Sequence, residues 1–339
     1  MIGRKDAEKP AARRAGATSR LAWIAGWLLA SGCGSCKESA QLQVQTPFPH
    51  TRCLARDAPE GRTWQVGALG FEATGRTLTI SGATEPVRLA AFAGPGLAAP
   101  PASRELAALM AHEPTLAVML GGLGDDDASA SETLRALSEA PFPTLFVPGG
   151  RDDPRRLQAL LSMLPADGQA RVVDLAAMRV VQVGDHQLIP IAGAADGRYA
   201  LNGHCCGFAL ADLQAVAAEL PDSSGSRFLI SWQAPGRGGP HAVARTAIGL
   251  DLGSDDLAEF SRRVGAAGGL FAWPTVRVAV PVTADGQRLI EPGQPARDLR
   301  MVVPRLTGPP MVTDDGRRAP SGFALLALDR EGLRLLELI

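Results

Sequence analysis

The stretch Leu145-Phe-Val-Pro-Gly-Gly-Arg-Asp-Asp-Pro154 ("LFVPGGRDDP") runs from an apolar segment through two glycines into a cluster of charged residues. An apolar run that ends at a glycine corner, with a proline opening the next helix, is typical of the carboxyl end of a buried parallel strand. Ligands bind at these strand ends in α/β sheets. The stretch therefore predicts an α/β fold and places a candidate site at this edge of the sheet.

The same rhythm of short apolar strands and amphipathic helices continues along the chain. We predict strands at 87–93, 116–120, 144–147, 227–231 and 270–272, and helices near 103–111, 131–140, 154–164, 209–220 and 255–266. Apolar strands separated by helices indicate a mostly parallel sheet covered on both faces. A hairpin is expected to turn at Thr74-Gly75, and consecutive strand-like runs over 172–192 interrupt the alternation of strands and helices. The strand-like runs after residue 299 indicate a sheet of antiparallel character added to the first. We expect one two-sheet domain over residues 63–339.

The first 32 residues have the pattern of an export signal. Six basic residues precede the apolar run Leu21–Ala30, which is followed by Ser31-Gly32-Cys33. The run is too short to span a membrane as a helix. Because "LASGC" resembles a bacterial lipoprotein signal, we predict a signal peptide over 1–32 and lipidation of Cys33; ordinary secretory cleavage nearby is the alternative. Residues 33–62 are polar and aperiodic, which predicts a flexible tether.

These features predict an exported protein that is lipid-anchored to the cell envelope. Gly34 rather than aspartate follows the lipidated cysteine, which favours the outer membrane. Without residues 1–32 the chain carries 28 basic and 33 acidic residues, a net charge of −5. Since nucleic-acid binding needs a basic face, this charge argues against such a partner. The expected partners are the membrane, through the anchor, and an envelope protein or small ligand.

Four further cysteines are expected to form disulfides in an oxidising compartment. They are Cys36, Cys53, Cys205 and Cys206. Three pairings are possible from the sequence. A bond between the adjacent Cys205 and Cys206 and bonds from this pair to the N-terminal cysteines are equally plausible.

Five predicted strand ends carry glycine-rich or tryptophan-containing corners. They are "FAGPG" (92–96), "LGGLGD" (120–125), "PGGRD" (148–152), "ISWQAP" (230–235) and "FAWPTV" (271–276). Their order and spacing resemble the calcineurin-like metallophosphoesterase family, over roughly residues 86–339. The resemblance implies a four-layer α/β/β/α sandwich of two mixed sheets. It also implies Asp, His and Asn ligands at these five corners, which in that family hold two metal ions for phosphoester hydrolysis.

The side chains that the family needs for catalysis are replaced in this chain. The positions that the resemblance assigns to metal ligands and to the proton-donating histidine hold Ala93, Pro95, Gly122, Gly150, Arg151, Trp232, Trp273, Pro274 and Val276. None of these side chains is a ligand for a divalent cation. We therefore expect a decayed active site, no metal or other cofactor, and a binding or scaffolding role. Trp232 and Trp273 are expected to fill the vacated space.

The competing hypothesis is a hydrolase with a relocated divalent-metal site that uses Asp125, Asp152 and His241. Carboxylates at neighbouring strand ends suit Mg²⁺ or Ca²⁺. Acidic residues beside these corners are explained more simply as helix caps. Asp153 precedes Pro154, and Ser129 with Glu132 fits a capping box.

Arg151 also has two interpretations, because it could bind an anionic ligand or pair with Asp125 or Asp152. The pairing is favoured.

Overall fold

In a computed structural model, the chain divides into two compact units, residues 1–46 and 47–339. The structure describes residues 51–94, 103–123, 126–195, 204–222, 225–266, 268–308, 310–313, 316–319 and 321–339, all of which belong to the second unit. The predicted signal peptide and several residues of the sequence predictions lie outside the described residues. These are Cys33, Cys36, Pro95 and Asp125.

The described elements follow one another in this order. The strands are β1 (Thr51–Arg52), β2 (Arg62–Val66), β3 (Leu69–Thr74), β4 (Thr77–Ser81), β5 (Val87–Ala93), β6 (Leu116–Leu120), β7 (Thr144–Val147), β8 (Val172–Asp174), β9 (Val180–Val183), β10 (His186–Ile191), β11 (Cys206–Gly207), β12 (Arg227–Gln233), β13 (Gly268–Trp273), β14 (Arg300–Val302), β15 (Met311–Val312), β16 (Arg318–Ala319), β17 (Ala324–Asp329) and β18 (Gly332–Leu338). The α-helices are α1 (Ser103–Ala111), α2 (Asp127–Ser138), α3 (Pro154–Ser162), α4 (Ala166–Arg171), α5 (Leu210–Glu219) and α6 (Asp255–Arg263).

Two mixed sheets dominate the fold. A six-stranded sheet has the order β18-β17-β5-β6-β7-β8; β5 to β8 are parallel, and the hairpin β17–β18 adds to β5 in antiparallel fashion. An eight-stranded sheet has the order β14-β13-β12-β10-β9-β4-β3-β2, and its strands β10, β12, β13 and β14 are parallel. Short parallel pairing also joins β1 to β11.

The two sheets pack face to face because their strands are apolar on both sides. In β5, Leu89 and Ala91 face the core between the sheets, while Ala90 and Phe92 face the helices outside. The helices α1, α2 and α3 cover the outer face of the six-stranded sheet, and α5 and α6 cover that of the eight-stranded sheet. The predicted four-layer α/β/β/α sandwich of two mixed sheets is confirmed.

Three of the five predicted strands, β5, β6 and β7, have the predicted bounds, whereas β12 and β13 are longer than predicted. Further differences lie at helix ends and in sheet membership. Helix α2 begins at Asp127, four residues before the predicted start, and α4 was not predicted. The C-terminal hairpin was expected in the second sheet. It instead extends the first, because the unbroken apolar run 324–328 of β17 pairs with residues 87–91 of β5.

The end of the predicted tether is packed against the domain. A disulfide joins Cys53 to Cys206 across 153 residues of sequence, and both cysteines are buried. Arg52 bonds to the buried carboxylate of Asp212, and Leu54 is 1% exposed. This covalent tie and ion pair fix residues 51–54, which lie within the range predicted as a tether, to the rest of the domain.

No helix among the described residues is long and apolar enough to cross a membrane.

Candidate functional site

Three strand-end corners of the six-stranded sheet meet at one edge through backbone hydrogen bonds. The amide of Gly94 donates to the carbonyl of Gly121 over 2.8 Å, and the amide of Gly121 donates to the carbonyl of Val147 over 2.8 Å. A carbon atom added at Gly94 would lie 2.5 Å from the Gly121 oxygen, so only glycine permits this approach. The corners after β5, β6 and β7 thus form one continuous surface.

The carboxylate of Asp152 binds two of these corners together. One oxygen accepts hydrogen bonds from the amides of Gly122 (2.9 Å) and Gly149 (2.7 Å), and the other accepts from Leu123 (3.0 Å). Asp152 is only 5% exposed. Both of its oxygens are committed to the backbone, so the structure assigns it to holding the loops.

Burial has the largest effect on the pKa of Asp152. Removal from water raises the pKa of this carboxyl above its ordinary value, while the three backbone N–H groups and the positive charge of Arg156 act in the opposite direction. The donors are those that a buried carboxylate needs to compensate for its desolvation.

Trp232 fills the space above the corners. The alternation of β12 places it on the same inward face as Phe228 and Ile230, and it is 7% exposed. Its indole reaches the opposite sheet: a carbon atom added at Gly121 would lie 2.5 Å from Cδ1 of the ring, and one added at Gly149 would lie 2.5 Å from Cγ. The ring therefore occupies the volume that side chains at these glycines would need.

The second tryptophan lies beside the first. Trp273 ends β13, the neighbour of β12, and its ring is stacked on that of Trp232 with centroids 5.8 Å apart and planes 7° from parallel. Pro274 is buried after it, and Val276 is partly buried. The aromatic pair joins the fourth and fifth corners to the first three.

Ala93, Gly150 and Gly122 are further positions that the resemblance assigns to metal ligands. Their surroundings or backbone conformation disfavour a longer side chain. Ala93 is 7% exposed at the end of β5. A carbon atom added at Gly150 would lie 2.6 Å from Cβ of Ala194 and 3.1 Å from the Trp232 ring. A carbon atom added at Gly122 would make ordinary contacts with Gly94 at 3.6 Å, but φ is +77°, a conformation in which a side chain is strained.

No hydrogen bond or ion pair joins Arg151 to Asp152, whose buried carboxylate accepts from three backbone amides. Arg151 is exposed, and its carbonyl oxygen lies 3.5 Å from Sγ of Cys205. The alternative partner, Asp125, lies outside the described residues.

Arg305 is a further cation at this edge. Its backbone pairs with Ala93 at the end of β5, and Leu306 donates to the Ala93 carbonyl over 2.9 Å. Burial lowers the pKa of Arg305, and the positive charge of Arg151 lowers it further. The sequence contains no signal for this residue, since it follows β14 in an aperiodic segment 154 residues after Arg151.

The remaining predicted residues serve local structure. Asp153 caps α3 by accepting from the amides of Arg155 and Arg156, as predicted. The predicted capping box at Ser129 is wrong, because Asp126 caps α2 and the Ser129 amide and hydroxyl both donate to it.

His241 lies in the loop after β12, where its amide donates to the Gly286 carbonyl over 2.8 Å. Within the described part of the chain, no three His, Cys, Asp or Glu side chains form a group that could hold a metal ion.

Two solved structures are distantly similar to this chain. No protein-family model matches the chain, and no curated protein sequence matches it. One crystal structure is similar over 75% of this chain and 100% of its own, at 11% identity and a TM-score of 0.47. The crystal structure of TT1561 from Thermus thermophilus is similar over 73% of this chain and 97% of its own, at 14% identity and a TM-score of 0.44. Neither likeness carries an inference about function.

Proposed function

We propose that this chain is an exported, lipid-anchored binding protein of the cell envelope, with a metallophosphoesterase-like domain that does not catalyse hydrolysis. One observation carries the proposal. The indole of Trp232 is packed against Gly121, Gly149 and Gly150, in the volume between the corners where that family holds its metal ions. A site filled by a buried aromatic ring has no room for two hydrated cations and a phosphoryl group.

The chemistry of the corner residues supports the same conclusion. Two-metal hydrolysis needs ligands that fix both ions, so that one bound water loses a proton and attacks in line. Ala93, Gly122 and Gly150 supply no donor atom, and Asp152 uses both oxygens on backbone amides. Arg151 does not replace a proton-donating histidine, because an arginine side chain stays protonated in proteins.

The competing hydrolase with a relocated site would need Asp152 as a metal ligand, although this carboxylate is buried and already accepts from three backbone amides. No group of three His, Cys, Asp or Glu side chains that could hold a metal ion includes it among the described residues. His241, its third proposed member, belongs to the loop that bonds to Gly286. The binding function therefore has the better support.

A turnover assay tests the absence of catalysis. We expect purified protein to hydrolyse neither a phosphomonoester nor a phosphodiester when Mn²⁺, Fe²⁺, Zn²⁺ or Mg²⁺ is added. Gly122→Asp and Gly150→Asn should not create activity, because each adds one donor atom where the other metal ligands are missing. The new side chain would be strained by the positive φ at Gly122 and would overlap Ala194 and Trp232 at Gly150. Chelator-sensitive turnover that follows the protein peak through size-exclusion chromatography would refute the proposal.

The anchor is tested separately. Its support is the basic, apolar leader that ends in "LASGC" at Cys33. Wild-type protein expressed in a bacterial host should partition into detergent, whereas the Cys33→Ser variant should remain unprocessed or enter the aqueous phase. Equal partitioning of the two forms would exclude lipidation at this cysteine while leaving the binding function open.

A further inference from the structure

His186 lies in the core between the two sheets, at the end of the domain opposite the glycine corners. It begins β10, whose alternation directs it to the same side as Leu188, and it is 2% exposed. Its ring lies against that of Phe228, with centroids 6.1 Å apart. The chain reaches Gly193, which pairs with Gly149 at a corner, only after β10 ends. His186 is therefore a titratable residue in an apolar setting, far along the strand from the candidate site.

Neither ring nitrogen of His186 has a hydrogen-bond partner within the described part of the chain. Buried polar groups in native proteins are nearly always bonded, and an unbonded one lowers stability. A phenylalanine or leucine would fill this place without that penalty. Packing of the core thus gives no reason for a histidine here. The property that distinguishes it from an apolar residue is its ability to take up a proton near neutral pH.

Three carboxylates act electrostatically on His186, and they come from both sheets. Antiparallel pairing of β5 with β17 brings Glu85, just before β5, and Asp329, the last residue of β17, to the same end of the six-stranded sheet. Glu85 Oε1 would lie 3.9 Å from a carbon atom added at Gly184, in the turn between β9 and β10. Asp185 belongs to that same turn, which is exposed. The two sheets therefore meet here through a buried imidazole and nearby acids.

The cations at this end are paired with two of those acids. Arg330 Nε lies 3.5 Å from Glu85 Oε2, and Arg334 Nη2 lies 3.4 Å from Asp329 Oδ2. The guanidinium of Arg330 is largely exposed, so water and salt weaken its ion pair. The surroundings of His186 therefore keep a negative charge that favours an imidazolium once the ring reaches water.

Burial lowers the pKa of the His186 imidazole below its ordinary value of about 6.5, and the charges of Glu85, Asp185 and Asp329 act in the opposite direction. The ring is therefore neutral in the closed structure at neutral pH. When this end opens, the ring becomes hydrated and takes up a proton at its ordinary pKa. Because the open form binds the additional proton, stability of the contact is present above about pH 6.5 and is lost as the pH falls below it.

We infer that His186 is a pH-sensitive switch in the contact between the two sheets. In acid a proton from water binds a ring nitrogen, and the exposed turn at Gly184 and Asp185 moves outward so that the imidazolium meets water and the carboxylates of Glu85 and Asp329. At neutral pH the proton leaves and the ring returns to its place beside Phe228. The switch is independent of the proposed function, because it lies at the other end of the strands from the corners.

Hydrogen–deuterium exchange of the purified protein at about pH 7.5 and about pH 5.5 tests the switch, after correction for the intrinsic pH dependence of exchange. The amide of Gln187, which donates to the Ser226 carbonyl over 3.0 Å, reports on the turn. We expect protection over residues 183–190 to fall about tenfold on acidification, because opening takes up one proton. Protection of β6, at the centre of the other sheet, should stay the same.

Replacement of His186 should abolish this pH response. His186→Phe and His186→Leu remove the titratable ring and the two unbonded nitrogens, so both should keep residues 183–190 protected at either pH. The smaller leucine covers the case in which phenylalanine is too large beside Phe228. His112→Phe is the matched control, because His112 also lies against an aromatic ring, that of Phe323 at 5.7 Å, but is only partly buried. This control should respond like wild type.

Equal protection of wild-type residues 183–190 at the two pH values would overturn the inference, and this result needs no variant. A loss in both His186 variants equal to that in wild type would also overturn it. A loss of the same size in β6 would mean that acid unfolds the whole domain rather than this contact. None of these results bears on the proposed function, which the turnover assay tests separately.

Discussion

Asp152 is a buried carboxylate that holds two loops together. Its carboxylate accepts from the amides of Gly122, Leu123 and Gly149, and so ties the corners after β6 and β7 together. Sequence alone left open whether it bound a metal, because an aspartate at a strand end is typical both of a metal ligand and of a residue that bonds to the loop backbone.

The loop-holding role predicts the effect of Asp152→Asn. An asparagine has one acceptor oxygen, and its NH₂ group would face a backbone N–H that now donates to the second oxygen. We expect a loss of about 2–4 kcal/mol in the free energy of unfolding, since one or two buried donors lose their partner. Chemical denaturation measures it.

Asp153→Asn is the matched control. Asp153 is the adjacent residue, also accepts from two backbone amides, and caps α3. Asparagine is a good N-cap residue, so this variant should lose only a few tenths of a kcal/mol. Equal effects of the two substitutions would show that Asp152 is an ordinary surface-loop residue.

At the scale of elements, the sequence predicts what depends on local periodicity. Strands β5, β6 and β7 have their predicted bounds, because unbroken apolar runs between glycines and helices leave little ambiguity. The start of α2 was misplaced because Asp126 and Ser129 are both good caps, and only the hydrogen bonds distinguish them.

Relations between distant elements could not be predicted in this way. The hairpin β17–β18 was recognised, but its placement beside β5 depends on packing across more than 200 residues of sequence. The bond between Cys53 and Cys206 was one of several open pairings. No sequence motif marks Arg305, which lies at this edge because its backbone pairs with Ala93 at the end of β5. Each of these features is set by three-dimensional proximity rather than by pattern.

At the scale of the whole molecule, the two sheets close against each other at the edge that carries the corners. Trp232 projects from the eight-stranded sheet onto Gly121 and Gly149 of the six-stranded sheet, and the ring of Trp273 stacks on it. Burying an indole in this position contributes roughly 2–3 kcal/mol to stability. The Trp232 side chain is thus part of the core between the sheets.

The most direct test of this central claim is a double-mutant cycle between the sheets, measured by chemical denaturation. Trp232→Ala should destabilise the protein by about 3–5 kcal/mol through the cavity that it leaves. If that variant is too unstable to measure, Trp232→Leu replaces it in the cycle. Gly149→Ala should cost about 1–3 kcal/mol in the wild type, because the new methyl group overlaps the indole.

In the Trp232→Ala background we predict that Gly149→Ala costs little, which gives a coupling energy of about 1 kcal/mol or more. Gly61→Ala, whose nearest neighbour would be the Ala73 carbonyl at 3.5 Å, serves as the additive control. The contradictory result is a Gly149→Ala cost that is the same in both backgrounds, within about 0.5 kcal/mol. That result would mean that the ring does not fill the corner and that the edge is open to metal ions and substrate.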